Sequence, residues 1–300
     1  MKRAGICLLA VALACSCGRY NREAVESNNQ GMQFLRAGRF SDARERFQRA
    51  AEEDRNYDLP LYNLALAYIR QRDWANAADA LTRAIARQAS NADYHYQLGN
   101  AHYQIATAAE NADNAQGGAH LEQARAAFQV CVQRNPNYYM AHFRLGQVAE
   151  LLDNPQDALR EYSDTLRIAP RAFPAYARLA RVYLHQHLNA EAAQTLREGL
   201  RVAPPGAPER GQMHAFLGSA LLAQNQALPA TEEFQAAINE DEQLTEALFN
   251  LGMTYADMPD RRQQAILYLT RFIAARGGTA PREFFDHAQQ RLNELQTPGQ

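Results

Sequence analysis

Large apolar residues return along this chain at a fixed interval. A leucine followed by a small residue occurs at Leu64-Ala65, Leu98-Gly99, Leu145-Gly146, Leu179-Ala180, Leu217-Gly218 and Leu251-Gly252, and within the first two, middle two and last two pairs the separation is 34 residues. Downstream of each comes a small residue with a large apolar one four later, as in Ala77 and Leu81, Ala124 and Phe128, Ala158 and Tyr162, Ala192 and Leu196, and Ala230 and Phe234. A period of this length marks a tandem array whose units bury their apolar faces against one another. Pro136, Pro170 and Pro204 close several units, where proline ends a helix. Near the C-terminus Phe284, Ala288, Leu292 and Leu295 fall on one face of a helix predicted over Pro281 to Gln296, with Arg282, Gln289 and Asn293 elsewhere. Plentiful alanine with sparse valine and isoleucine favours helix over strand.

The Leu-small pair, the aromatic that follows it at Tyr68, Tyr183 and Tyr255, and the small-x-x-x-large pair together resemble the tetratricopeptide repeat. The resemblance implies an all-α fold: tandem helix-turn-helix repeats, each an antiparallel helix A and helix B, wound into a right-handed superhelical solenoid with a C-terminal capping helix at 279–296. The small residue of helix A is required because the two helices approach closely there. Gly31, Phe34, Ala43 and Phe47 add a degenerate first unit, giving about seven units over residues 24–275. Repeat three carries extra residues near 105–118, read as a longer helix A followed by a loop around Asn111, Asp113, Asn114 and Gly117-Gly118. Extra residues at 203–208, rich in proline, are read as a stiff joint.

The N-terminus is an address. Lys2 and Arg3 precede an apolar run from Ala4 to Ala14, the layout of a secretory signal and too short to span a bilayer. Ala12-Leu13-Ala14-Cys15-Ser16-Cys17 resembles the lipobox of bacterial lipoproteins, in which the cysteine is acylated and becomes the mature N-terminus. Residues 1–14 are then a signal peptide, Cys15 (alternatively Cys17) is the lipidated residue, and 15–23 is a linker. Cleavage by a general signal peptidase, releasing a soluble secreted or periplasmic protein, is the alternative. A linker of about nine residues reaches at most ~30 Å, so the repeats would work close to the membrane. Ser16 lacks the aspartate that favours inner-membrane retention, so the outer membrane is expected.

Charge and chemistry narrow the function. The 31 basic and 33 acidic residues nearly balance, against the excess of positive charge that nucleic-acid binding requires. Lys2 is the only lysine, which removes Schiff-base and phosphate-loop chemistry from the folded body. His185 and His187 form the most metal-like pair, but residues two apart do not share a helix face. His95, His142 and His214 share one repeat position and are read as half-buried planar side chains replacing an aromatic, the alternative being a pH-sensitive ladder. Cys131 stands where the repeat places alanine and is read as a buried thiol. No catalytic motif stands out, and no enzyme, metal or cofactor is expected.

In this repeat family the A helices line a concave surface that holds the partner. Tyr62, Tyr96, Phe143 and Phe249 share one register there; Asn63, Gln97, Arg144 and Arg178 share the next. One turn on lie Asn100, Gln147 and Arg181, then Ile69, Tyr103 and Glu150. Aromatics interleaved with amides and guanidinium groups suit an extended or helical peptide. Arg144, Arg178 and Arg181 could accept a carboxylate, although the lysines of the family's chaperone-tail clamp are missing. The expected function is a non-catalytic scaffold tethered to the envelope, assisting assembly of an envelope complex, with pilot lipoproteins as one version. An accessory subunit of an envelope biosynthetic or polysaccharide-export enzyme is the alternative. Cells fed labelled palmitate should incorporate it into this protein, and Cys15→Ser should abolish the label; unchanged labelling moves the site to Cys17, and an unlabelled wild type removes the anchor.

Overall fold

A computed structural model describes residues 20–108, 115–275 and 282–297, so Cys15 and Cys17 lie outside the described residues. Among the described residues the regular structure is helical throughout, and no helix is long and apolar enough to cross a membrane. The chain divides into two compact units, 1–154 and 155–300.

In the first unit the helices run α1 Arg22–Arg36, α2 Phe40–Glu53, α3 Leu59–Arg70, α4 Trp74–Arg87, α5 Ala92–Ala106, α6 Ala115–Arg134 and α7 Tyr139–Leu151. Odd-numbered helices are the A helices and even-numbered ones the B helices. The second unit contains α8 Pro155–Ile168, α9 Phe173–His185, α10 Asn189–Val202, α11 Glu209–Ala223, α12 Ala227–Glu240, α13 Thr245–Ala256, α14 Arg262–Ala274 and α15 Arg282–Gln296.

Sequence sets the ends of the helices. Asn21, Asp73 and Asn91 each accept an amide of the first turn that follows, the usual role of a short polar side chain at an N-cap. The tight A-to-B turns need one residue in the left-handed region, always eight places after the leucine register: Gly38, Arg72, Asp153, His187 and Asn225, with φ between 52° and 72°. His187 is therefore a turn residue. It and His185, the last residue of α9, are both exposed.

The hairpins close on a steric match. A β-carbon placed on Gly31 would lie 2.5 Å from the Phe47 ring, one on Gly99 2.6 Å from Phe128, and one on Gly218 2.6 Å from Phe234. All three rings are fully buried, each contributing about 2–3 kcal/mol by its transfer from water. Where helix A has alanine instead, at Ala65 and Ala180, the B residue in register is Leu81 or Leu196, buried in the same cluster. A flat ring takes the room of one methyl group on the facing helix.

One expectation changes. In repeat three the first helix ends at Ala106 and the second is the lengthened one, twenty residues against fourteen for α4 and α10. Starting α6 at Ala115 brings Gly117 and Gly118, expected in the loop, into the helix. The stretch 203–208 connects α10 to α11 within the second unit, with Ala203 and Ala207 buried and Arg210 donating to the carbonyls of Leu200 and Ala203. The helix α15 packs its Ala288 and Leu292 into the second core, as a cap does. Gly218→Ala should destabilise the protein by about 1–3 kcal/mol through overpacking against Phe234, read from urea denaturation; an unchanged midpoint would show that the ring has room to yield.

Candidate functional site

The A-helix face of the first unit is built on three parallel stripes at helical spacing. Leu59, Tyr62, Leu66 and Ile69 form the stripe of α3. Asp93, Tyr96, Asn100 and Tyr103 form that of α5, and Met140, Phe143, Gln147 and Glu150 that of α7. Leu59 and Met140, in the same register, are 38% and 41% exposed. They extend the aromatic register by one turn toward the helix N-termini. Simple counting back three residues from Tyr62 and Phe143 would have found them.

The aromatics of this face are half-buried. Tyr62 stacks on Tyr94 with ring centroids 4.8 Å apart, and Tyr96 lies 4.9 Å from Tyr138. Those two partners are themselves anchored: Tyr94 donates its hydroxyl to Asp58 at 2.5 Å and Tyr138 donates to Asp93 at 2.8 Å. Burial, then the neighbouring carboxylates, hold both phenols well above their ordinary pKa, so they remain donors. Successive A helices are thereby tied to one another beneath the face. Next to it the Arg144 guanidinium lies 5.0 Å over the Tyr103 ring and donates to Gln147 Oε1 at 2.8 Å. Asn100 keeps a buried side-chain oxygen without a hydrogen-bond partner.

Several residues expected in the groove sit elsewhere. Asn63 is 5% exposed and donates to Asn28 Oδ1 at 2.8 Å, a bond between α1 and α3 that takes it away from the surface. Phe249 is closed over by the cap: its ring lies 5.2 Å from Phe272 and 5.1 Å, edge on, from Phe284 of α15. Gln147 is 9% exposed, so it positions Arg144 more than it faces outward. Arg178 and Arg181 belong to the second unit and are half-buried.

The shared histidine position has a common structural duty. His95 Nε2 sits 3.0 Å from the Ala89 carbonyl and His142 Nε2 3.2 Å from that of Pro136; in the same register Tyr176 donates to the carbonyl of Pro170. Each ring closes the turn that enters its own helix, six residues back. The next residue of this register, His214, instead meets Glu233 at 2.6 Å. Burial pushes the Cys131 thiol up to about 12, which keeps it protonated and unreactive.

Arginines are used in a way the sequence did not announce. Arg87 donates to the carbonyls of Ala51, Asp54 and Tyr57 at the end of the preceding B helix, and Arg262 to those of Leu295 and Thr297 at the end of α15. A forked cation serves several orphan carbonyls at once and meets the negative end of the helix dipole, which a lysine does less well.

Comparison with known proteins follows the same pattern. Family models described as tetratricopeptide repeat match residues 34–105 and 108–177. The chain carries tetratricopeptide repeats. Neither matching model is an enzyme family. Among solved structures, a tetratricopeptide repeat protein from Parabacteroides merdae is 13% identical with a TM-score of 0.57, covering 92% of this chain and 100% of that one. YrrB, a TPR protein with an unusual peptide-binding site, is 18% identical with a TM-score of 0.55, covering 71% and 99%. The MamA protein is 22% identical at 0.53, covering 60% and 91%. At these identities the likeness is one of fold. No curated protein matches the chain. Because the seventh repeat seals Phe249 under the cap, Phe249→Ala should cost about 3–5 kcal/mol of stability, measured by denaturant unfolding followed by helicity; a loss below about 1 kcal/mol would place the ring outside the core.

Proposed function

We propose that this protein is a non-catalytic interaction scaffold that takes an extended or helical peptide of a partner protein on the A-helix face of its first unit, and that lipid on Cys15, or Cys17, holds it at a bacterial envelope. The observation that carries the peptide reading is the face itself. Tyr62, Tyr96 and Phe143 stand in one register with exposed Leu59 and Met140 beside them, and Arg144 lies stacked on Tyr103 at its edge. Exposed apolar side chains in register on rigid helices bury area on binding at small entropic cost. Rings held on one side by packing lose little further freedom when a partner covers the other.

The polar groups set the chemistry of the partner. Arg144 offers a cation preorganised by its ring and by Gln147, suited to a carboxylate side chain or terminus. Asn100 offers an amide able to pair with a peptide backbone. YrrB, similar in fold and itself a peptide-binding TPR protein, lends the reading a precedent. The lipobox-like Ala12-Leu13-Ala14-Cys15 supports the anchor, and with it a place on the periplasmic side of the outer membrane and a role in assembling an envelope complex.

The test is a crosslinked pull-down of the tagged, full-length protein from its own cells. Leu59→Glu with Met140→Glu changes only exposed side chains and should leave helicity and melting unchanged while reducing recovery of the captured partner by about tenfold, a loss of ~1.4 kcal/mol. An identical set of captured proteins at wild-type yield would overturn the groove assignment.

A further inference from the structure

A pair of histidines lies outside everything described so far. His102 of α5 and His120 of α6 approach with their Nδ1 atoms 3.1 Å apart and their ring centroids 5.3 Å apart, the planes tilted by 23°. That centroid distance is close to the largest that such a nitrogen contact allows, being about the nitrogen separation plus one ring radius at each end. The rings are therefore nearly coplanar and meet head to head, each nitrogen lone pair or proton aimed along the line between them. A metal ion shared by both nitrogens would need lone pairs that converge from the side. A single proton on the line between them fits.

The place of the pair in the fold is equally specific. His102 occupies the register of Tyr68, Tyr183 and Tyr255, the aromatic of the repeat. His120 stands four residues before Ala124, ahead of where the shorter B helices begin relative to the same small residue: α4 starts three residues before Ala77 and α10 three before Ala192. His120 thus belongs to the added start of α6, at the place from which Arg39 and Arg261 lie over the Phe34 and Tyr255 rings in shorter hairpins.

We propose that the pair is an acid-released latch, in which one proton held between the two Nδ1 atoms fastens the added start of α6 to α5 and arrival of a second proton on that contact opens it. With both rings neutral, one is the Nδ1–H tautomer and donates to the bare Nδ1 of the other. The first added proton goes to the free Nε2 of the donor ring, and the hydrogen bond persists as a charge-assisted one. The next must go to the accepting Nδ1, placing two N–H groups head to head on two cations, and the contact breaks.

Among the described residues, the charged groups named next on the neighbouring helices have partners of their own. On α4, Asp73 is held by its N-cap bonds to Asn76, Asp79 pairs with Arg83, and Arg87 serves carbonyls. On α6, Glu122 pairs with Arg125; on α5, Asp93 accepts from Tyr138; from α7, Arg144 lies over Tyr103. Burial first, and then the charge of His120, lower the pKa of His102 from 6.5 to about 4. An opened His102 takes up its proton near 6.5, whereas in the closed contact it does so only at about 4, so the opened form binds more protons in this window and the contact weakens as pH falls through it.

Amide hydrogen exchange of the full-length protein, referred to intrinsic rates, tests the latch together with imidazole nitrogen NMR. Protection of Ala115–Leu121 should hold at pH 7 and fall at least tenfold by about pH 4, while α8–α14 stay protected. His102→Tyr, which restores the residue of the other repeats, should keep protection across the range, and His120→Gln should remove the pH step. A wild type whose segment is equally protected at both pH values overturns the proposal. So does the same fall in His102→Tyr, or two rings titrating independently near their ordinary pKa.

Discussion

Everything in this fold hangs on the distance between the two helices of a hairpin. At Gly31, Gly99 and Gly218 the backbone of helix A comes so near the ring on helix B that one methyl group would not fit. That approach buries the ring completely and leaves the hairpin with continuous apolar sides, which the neighbouring hairpins of its unit cover. The choice between glycine facing phenylalanine and alanine facing leucine shows that the helices keep their spacing while the side chains share a fixed volume. Gly252 departs from this, facing Leu269 at 2.8 Å, and beside it the cap supplies the missing apolar cover through Phe284.

With the spacing set, polar groups do the joining. Tyrosine hydroxyls on aspartates tie successive A helices, histidine or tyrosine rings close the turns between repeats, and arginine forks take the carbonyls left over at helix ends. These bonds leave the tips of the A-helix face uncommitted. The surface that can meet a partner is what remains after the repeat has satisfied its own backbone and rings. In the first unit that remainder is apolar and aromatic, with one preorganised cation.

The fold was largely legible in the chain, because a 34-residue recurrence of small and large residues reports directly on which positions must touch. The face was legible only in part. Tyr62, Tyr96 and Phe143 follow from register, but Asn63 shares that logic and is nevertheless spent on Asn28, a residue of another repeat whose position no local pattern reveals. Phe249 follows from register too, and its fate depends on a cap that arrives only after α14. The left-handed turn at His187 was open to reading from the matching places of Gly38 and Asn225, and it accounts for a histidine that otherwise resembles a ligand.

The sequence by itself determined that this is an all-helical tandem repeat and which small residue must face which large one, since those are constraints between positions a fixed interval apart. Only the tertiary structure decided which polar side chains are already used. Whether an arginine meets carbonyls or faces solvent, and whether His102 stands alone or opposite His120, depends on residues from other helices that come within hydrogen-bond reach. Such contacts rest on side chains that differ from one repeat to the next, so the period alone does not give them.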